Sequence, residues 1–199
     1  MSLDRDAVKQ LEKRIAAGMT EIGFTKKSRG LFTIQSGEHA CGIVGFPGGM
    51  RSGVYEVAPT LGVSFIEVER IVNECDSRVG KPKLVWSISS PIGYQMPQDT
   101  FFTWSFDGGD ETDSTFAHMF RTIDVYGKKF IVERSTLKTG LDYMLHGRTV
   151  LEHVQYSIPA TMYLLGQIES ALDIFKVKKS NSRERHGPPL WSIWHSQTS

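Results

Sequence analysis

The chain is predicted to fold as an α+β domain, with an antiparallel sheet of about five or six strands (roughly residues 31–106) covered by an N-terminal helix and a C-terminal set of helices. Three patterns predict it. Apolar residues recur at helical spacing from Asp4 to Ile22. Short β-branched and aromatic runs, punctuated by glycine- and proline-bearing turns, follow up to Phe106. After Asp113 the helical spacing returns and lasts to about Val177. Short connections between the strands favour an antiparallel meander over parallel units.

The opening helix gathers Val8, Leu11, Ile15, Met19 and Ile22 on one face and leaves Lys9, Glu12 and Lys13 on the other. Asp4 suits its cap, and Gly23 the left-handed position that ends it. Phe24 to Gly30 reads as a basic connector. Leu31–Gln35 and Cys41–Phe46 read as strands, Pro47–Gly53 as a turn or loop, and Val54–Phe65 as a third strand or a pair interrupted at Pro59. Ile66–Cys75 is a short helix with Ser64 as cap. Leu84–Ser89 is a further strand whose Leu84, Trp86 and Ile88 alternate onto one face, and Phe101–Phe106 is another. Phe116, Met119, Phe120, Ile123, Tyr126 and Phe130 mark a long helix. Leu137, Leu141, Met144 and Leu145 mark a second, capped by Ser135. Leu151–Tyr156 offers about a turn of helix, and Pro159 restarts the helix in its first turn. Met162, Leu165, Ile168, Leu172 and Phe175 then continue one face. Residues 1–179 form a single domain on this reading, and residues 180–199 a polar linker and a tail holding Trp191 and Trp194.

Composition narrows the partners. A chain of 199 residues, 40% hydrophobic and 23% charged, is ordinary for a globular domain. Its formal net charge of +1 carries neither the basic excess of a nucleic-acid binder nor the acidic excess of an inhibitor of a basic nuclease. Two cysteines, Cys41 and Cys75, make no disulfide framework and too small a set for structural zinc. The N-terminus puts charges where a signal peptide needs an apolar core, and no run reaches the ~20 apolar residues of a membrane span. A cytoplasmic protein is expected, with no nucleic-acid or membrane partner.

Each chemical motif meets a plainer reading. The turn holding Asp107, Asp110, Glu111 and Asp113 is the best candidate for a cation, with Asp107, Asp110 and His118 as its candidate ligands. Counted as an EF-hand from Asp107, it has Thr112 where a glycine belongs and His118 where a glutamate belongs. Carboxylates also gather before helices because the N-terminus is partially positive. Ser135-Thr-Leu-Lys138 and Lys138-Thr-Gly140 match two elements of penicillin-recognising enzymes, but sharing one lysine they cannot face each other across a pocket. Pro47-Gly48-Gly49 lacks the phosphate-loop pattern and precedes a strand. His39, Cys41 and Cys75 are too few for zinc, and the cysteines read as small buried hydrophobes. Lys26, Lys27 and Arg29 read as a solvated turn. Trp191 and Trp194 either dock on the protein's own surface or anchor a partner or a second copy. No catalytic residue and no cofactor are predicted.

One set of features resembles a known group. The opening helix runs into Gly23-Phe-Thr-Lys-Lys-Ser-Arg-Gly-Leu-Phe32, followed by Tyr55–Phe65 with Leu61-Gly-Val63. Thr103-Trp104-Ser-Phe-Asp107 then leads into a helix ending near Tyr126-Gly127-Lys-Lys-Phe130. Over residues 5–175 this resembles an uncharacterised bacterial α+β family, a domain of unknown function, some of whose relatives look like immunity proteins of polymorphic toxin systems. The resemblance implies a non-catalytic protein-binding module that occludes a toxin, and it carries over no catalytic residues. The rival expectations are an enzyme or small-ligand binder built from Asp107, Asp110 and His118, and a homo-oligomer joined through Trp191 and Trp194.

Overall fold

The computed structural model describes residues 3–75, 86–147 and 154–181. It is an α+β fold. The first helix, α1 (Arg5–Glu21), is capped as expected: Asp4 accepts a 2.7 Å hydrogen bond from the amide of Ala7. It ends at Gly23, in the left-handed region, where the amide of Phe24 reaches back to the carbonyl of Met19.

Among the described residues eight antiparallel strands follow, and they divide between two sheets. Five make the order β1 (Thr25–Ser28), β2 (Leu31–Gln35), β3 (Ala40–Gly45), β6 (Thr60–Phe65) and β7 (Ile88–Pro91). Three make the order β4 (Gly48–Arg51), β5 (Val54–Val57) and β8 (Trp104–Phe106). The two sheets share one long hairpin. Gly45 opposes Thr60 and Gly48 opposes Val57, so β3–β6 and β4–β5 keep a single register. Between them Phe46-Pro47 faces Ala58-Pro59, where Pro47 withholds one ladder donor and one bond, Ala58 N–H to Pro47 O at 3.1 Å, survives; Pro59 faces away from the hairpin and accepts from the amide of Ile92. The hairpin bends there. Its base joins β2 and β7, and its tip joins β8. Ser52 and Gly53 close the tip with φ of 51° and 83°, the paired positive angles of a type I′ turn.

Two expected connectors are therefore strands. Phe24–Gly30 holds β1, which pairs with β2 across a bulge between Lys26 and Ser28. Pro47–Gly53 holds β4, and only Ser52-Gly53 is turn. Conversely, Phe101–Phe106 contributes strand only from Trp104 onward, and Phe101 is 59% exposed. The strand placed at Leu84–Ser89 lies instead at Ile88–Pro91, and Leu84 is outside the described residues. Trp86 and Ile88 do not share a face. The indole of Trp86 lies over Gly62 and Gly45, whereas Ile88 pairs with Val63 on the other side of the sheet.

That other side is the core face. α2 (Ile66–Cys75) leaves the end of β6 as predicted. α3 (Thr112–Thr122), a π-helical turn (Ile123–Gly127) and α4 (Lys128–Glu133) then form one continuous rod across the five-stranded sheet. The rod buries Phe116, Met119, Ile123, Phe130 and Ile131. It comes close because Gly42 lacks a side chain: a Cβ there would sit 2.5 Å from Ile131 Cγ2. α1 crosses α3 the same way, with Gly18 under the Phe120 ring.

The last helices depart from expectation in three places. α5 (Leu137–His146) is capped by Thr136, which accepts from the amide of Thr139, while the Ser135 hydroxyl donates to the carbonyl of Val132. Pro159 lies inside α6 (Val154–Leu164) rather than at its start, in a stretch where Ser157, Ala160 and Thr161 are buried. The face read from Met162 to Phe175 belongs to two helices. Gly166, at φ 77°, ends α6 with the amide of Gln167 bonded to the carbonyl of Met162, and α7 (Ile168–Asn181) packs back on it. Among the described residues no helix is long and apolar enough to cross a membrane.

The close approach at Gly42 gives a test. Gly42→Ala should lower stability by about 1–3 kcal/mol in urea denaturation, because Ile131 and Ile34 must give way. Gly49→Ala, which meets nothing within 4 Å, should stay within about 0.5 kcal/mol of wild type. Equal loss in both variants would refute the packing account.

Candidate functional site

The acidic turn between β8 and α3 is held by its own backbone. Asp107 Oδ1 accepts a 2.8 Å hydrogen bond from the amide of Gly109, and the amide of Thr112 bonds to the carbonyl of Gly109 at 3.1 Å. Asp113 lies in the first turn of α3 and accepts from Arg14 at 2.5 Å, while the Arg14 guanidinium sits 4.2 Å above the Phe116 ring. The pair is largely exposed, with Asp113 at 85%, so it contributes about 0.2–1 kcal/mol. Burial of Ile15 and Met19 contributes about 1.5–3 kcal/mol each, and it is this packing that seats α1.

Between α1 and the turn lies an open cleft of about 450 Å³, lined by Ala7, Gln10 and Arg14 on one wall and Gly109, Asp110 and Thr112 on the other. Thr112 Oγ1 is buried there without a hydrogen-bond partner. Asp110 is exposed at the rim.

His118 faces away from metal chemistry. The indole N–H of Trp104, 3% exposed, donates to His118 Nδ1 at 2.9 Å. That bond occupies the Nδ1 lone pair and leaves the neutral ring's proton on Nε2, so both ring nitrogens lack a free lone pair. Phe102 completes the cluster, its ring 4.7 Å from Trp104 and 6.2 Å from His118. Among the described residues no three His, Cys, Asp or Glu side chains come together in a metal-binding group, and Asp107, Asp110 and His118 do not form one.

Cys41 is a half-buried thiol on the sheet face that carries Gly45 and Gly62. Burial raises its pKa, opposed by Lys27 and by a hydrogen bond with Thr33. His39 is exposed beside Glu38, with 3.7 Å between Nε2 and Oε2. The side chain of Cys75, and Trp191 and Trp194, lie outside the described residues.

The sequence reading missed a buried polar chain. Glu69 on α2, 5% exposed, accepts from the Ser87 hydroxyl at 2.6 Å, and Ser87 Oγ accepts from the amide of Phe65 at 2.9 Å. The signal was present, since Glu69 falls next to Val68 and three residues before Val72, the buried apolar residues of α2. Also missed was the outer side of the long rod. His118, Val125 and Val132 are exposed at seven-residue intervals along about 20 Å of helix, with Val125 at 50% and Val132 at 66%. A smaller dimple of about 210 Å³ lies among His39, Phe65, Glu67, Leu137 and Leu164.

Comparison of the chain with protein-family models, with curated proteins and with solved structures finds no match.

Three outcomes are expected. His118→Leu should lose about 1–3 kcal/mol in chemical denaturation because it strands the buried Trp104 donor. Zinc should leave the wild-type melting temperature unchanged; a zinc-dependent rise abolished by the same substitution would restore His118 as a ligand. In a Cys75→Ser background, Cys41 should react slowly with iodoacetamide at neutral pH. Its rate should climb only above the ordinary thiol range, since a raised pKa keeps the thiolate scarce.

Proposed function

We propose that this protein is a non-catalytic protein-binding module whose contact surface is the outward ridge of the α3–α4 rod. The observation that carries the reading is the exposure of Val125 and Val132 on the ridge. The rod's opposite side is committed to the sheet, so half or more of each of these apolar side chains is left exposed among the described residues. Rows of exposed apolar side chains at helical spacing suit a partner's groove or a flat interface with an apolar centre. His118, Arg121, Asp124 and Lys129 give the ridge a polar rim of mixed charge. Phe101, 59% exposed beside the Phe102–Trp104–His118 cluster, presents an aromatic anchor of the kind enriched in interfaces. With the resemblance to immunity-type relatives, the partner class is a bacterial toxin neutralised by occlusion, a task that needs surface complementarity and no reacting group.

A second reading rests on the cleft between α1 and the acidic turn, where Arg14, Asp110 and Thr112 line an open volume that suits a small polar ligand. Here the protein would bind a metabolite.

Affinity capture from the native source separates the two. Tagged wild type should retain a specific partner, and Val125→Glu/Val132→Glu should weaken that capture tenfold or more. Leu145→Glu, another exposed position, should leave it intact, and truncation after Arg185 reports the contribution of Trp191 and Trp194. Unchanged capture by the double variant would remove the ridge from the proposal. Ligand-induced thermal stabilisation lost in Thr112→Val, with no partner captured, would favour the cleft.

A further inference from the structure

Strand edges expose unpaired backbone, and proteins usually blunt them with lysine, proline, bulges or cover. The two sheets have four outer edges among the described residues. β1 carries Lys26, Lys27 and a bulge, and β7 ends in Pro91. β8 is three residues long, with Trp104 and Phe106 buried. β4, Gly48-Gly49-Met50-Arg51, has none of these devices within its length, and all of its residues are exposed.

The ladder fixes which groups of β4 point outward. The bond from the amide of Ala58 to Pro47 O makes Pro47/Ala58 a hydrogen-bonded pair. Alternation then makes Gly49/Glu56 and Arg51/Val54 hydrogen-bonded pairs as well, consistent with the two-residue turn that follows. Gly48 and Met50 therefore aim their N–H and C=O groups away from β5, toward solvent.

We propose that β4 pairs with β4 of a second copy of this chain, antiparallel, about a two-fold axis at Gly49. In that register Gly48 of each copy exchanges both hydrogen bonds with Met50 of the other, and the outward groups of both strands are all used. Gly49 meets Gly49 of the second copy as the close, non-hydrogen-bonded pair; space beside it is open, with nothing within 4 Å of its Cβ direction. Met50, 46% exposed, lands beside the Tyr55 hydroxyl that crosses over Gly48 of the second copy. Arg51 lies 3.7 Å from Glu56 of its own chain, and a net charge of +1 opposes association little. The three-stranded sheet thus continues through an isologous joint into a sheet of twice its width.

The test uses the full chain. Light scattering across the micromolar to millimolar range should show the mass rising from 22.3 kDa toward double that value. Met50→Pro deletes an outward amide without touching the β5 ladder, and Met50→Lys adds an edge charge. Both should remain monomeric with unchanged far-UV circular dichroism. Val125→Glu/Val132→Glu and truncation after Arg185 should still dimerise, which separates this joint from the ridge and from the tryptophan tail. In a Cys41→Ser/Cys75→Ser background, Gly49→Cys should cross-link to itself on mild oxidation. A monomeric wild type at every concentration overturns the proposal, as does a dimer that survives both folded Met50 variants. Failure of the Gly49→Cys cross-link overturns the register.

Discussion

Everything in the architecture follows from the bend in the hairpin that runs from β3 to β6. The register is continuous from Ala40/Phe65 to Arg51/Val54, but Pro47 withholds a donor from the ladder where the two sheets part. The missing donor lets the two halves of the hairpin diverge without leaving that amide unpaired. One half then builds the five-stranded sheet under the long helical rod, and the other reaches β8. The bend therefore positions the acidic turn, which leaves β8 to start α3, and with it the cleft against α1. It also leaves β4 at an edge.

Close approach is the second organising constraint. The rod lies on the sheet where Gly42 admits Ile131, and α1 lies on the rod where Gly18 admits Phe120. Gly18, Gly42 and Ile131 are buried and Phe120 is half-buried, whereas the ion pair between Arg14 and Asp113 is mostly in water. Magnitudes decide which matters: burial of a large side chain outweighs an exposed pair several-fold. The π-helical turn inserts an extra residue midway along the rod, so the inward residues on either side of it keep facing the sheet while Val125 and Val132 face out.

Three titratable groups at the entry into α3 are engaged by local structure, whereas Asp110 stays exposed. Asp107 closes a turn, Asp113 meets Arg14, and His118 receives the Trp104 indole. Asp107, Asp113 and His118 thus serve the entry into α3, and the apolar ridge of Val125 and Val132 lies apart from them on the outer side of the rod. A binding role needs only that surface, which is why it is the proposal the geometry supports best.

The sequence by itself determined the α+β class, α1 with its cap and glycine stop, the start of α2 at Ile66, and most of the inward residues of the rod. These follow from spacing and local capping, which act within a few residues. The tertiary structure decided the rest. Whether Thr25–Ser28 and Gly48–Arg51 are strands depends on partners that only the folded hairpins supply. Which side of the sheet Trp86 covers depends on glycines in β3 and β6 far along the chain. That Pro159 sits within a helix, and that His118 gives its lone pair to Trp104, are outcomes of packing between segments distant in sequence. Local propensity carries no information about such contacts, because each is fixed by the energy of burying surfaces against one another.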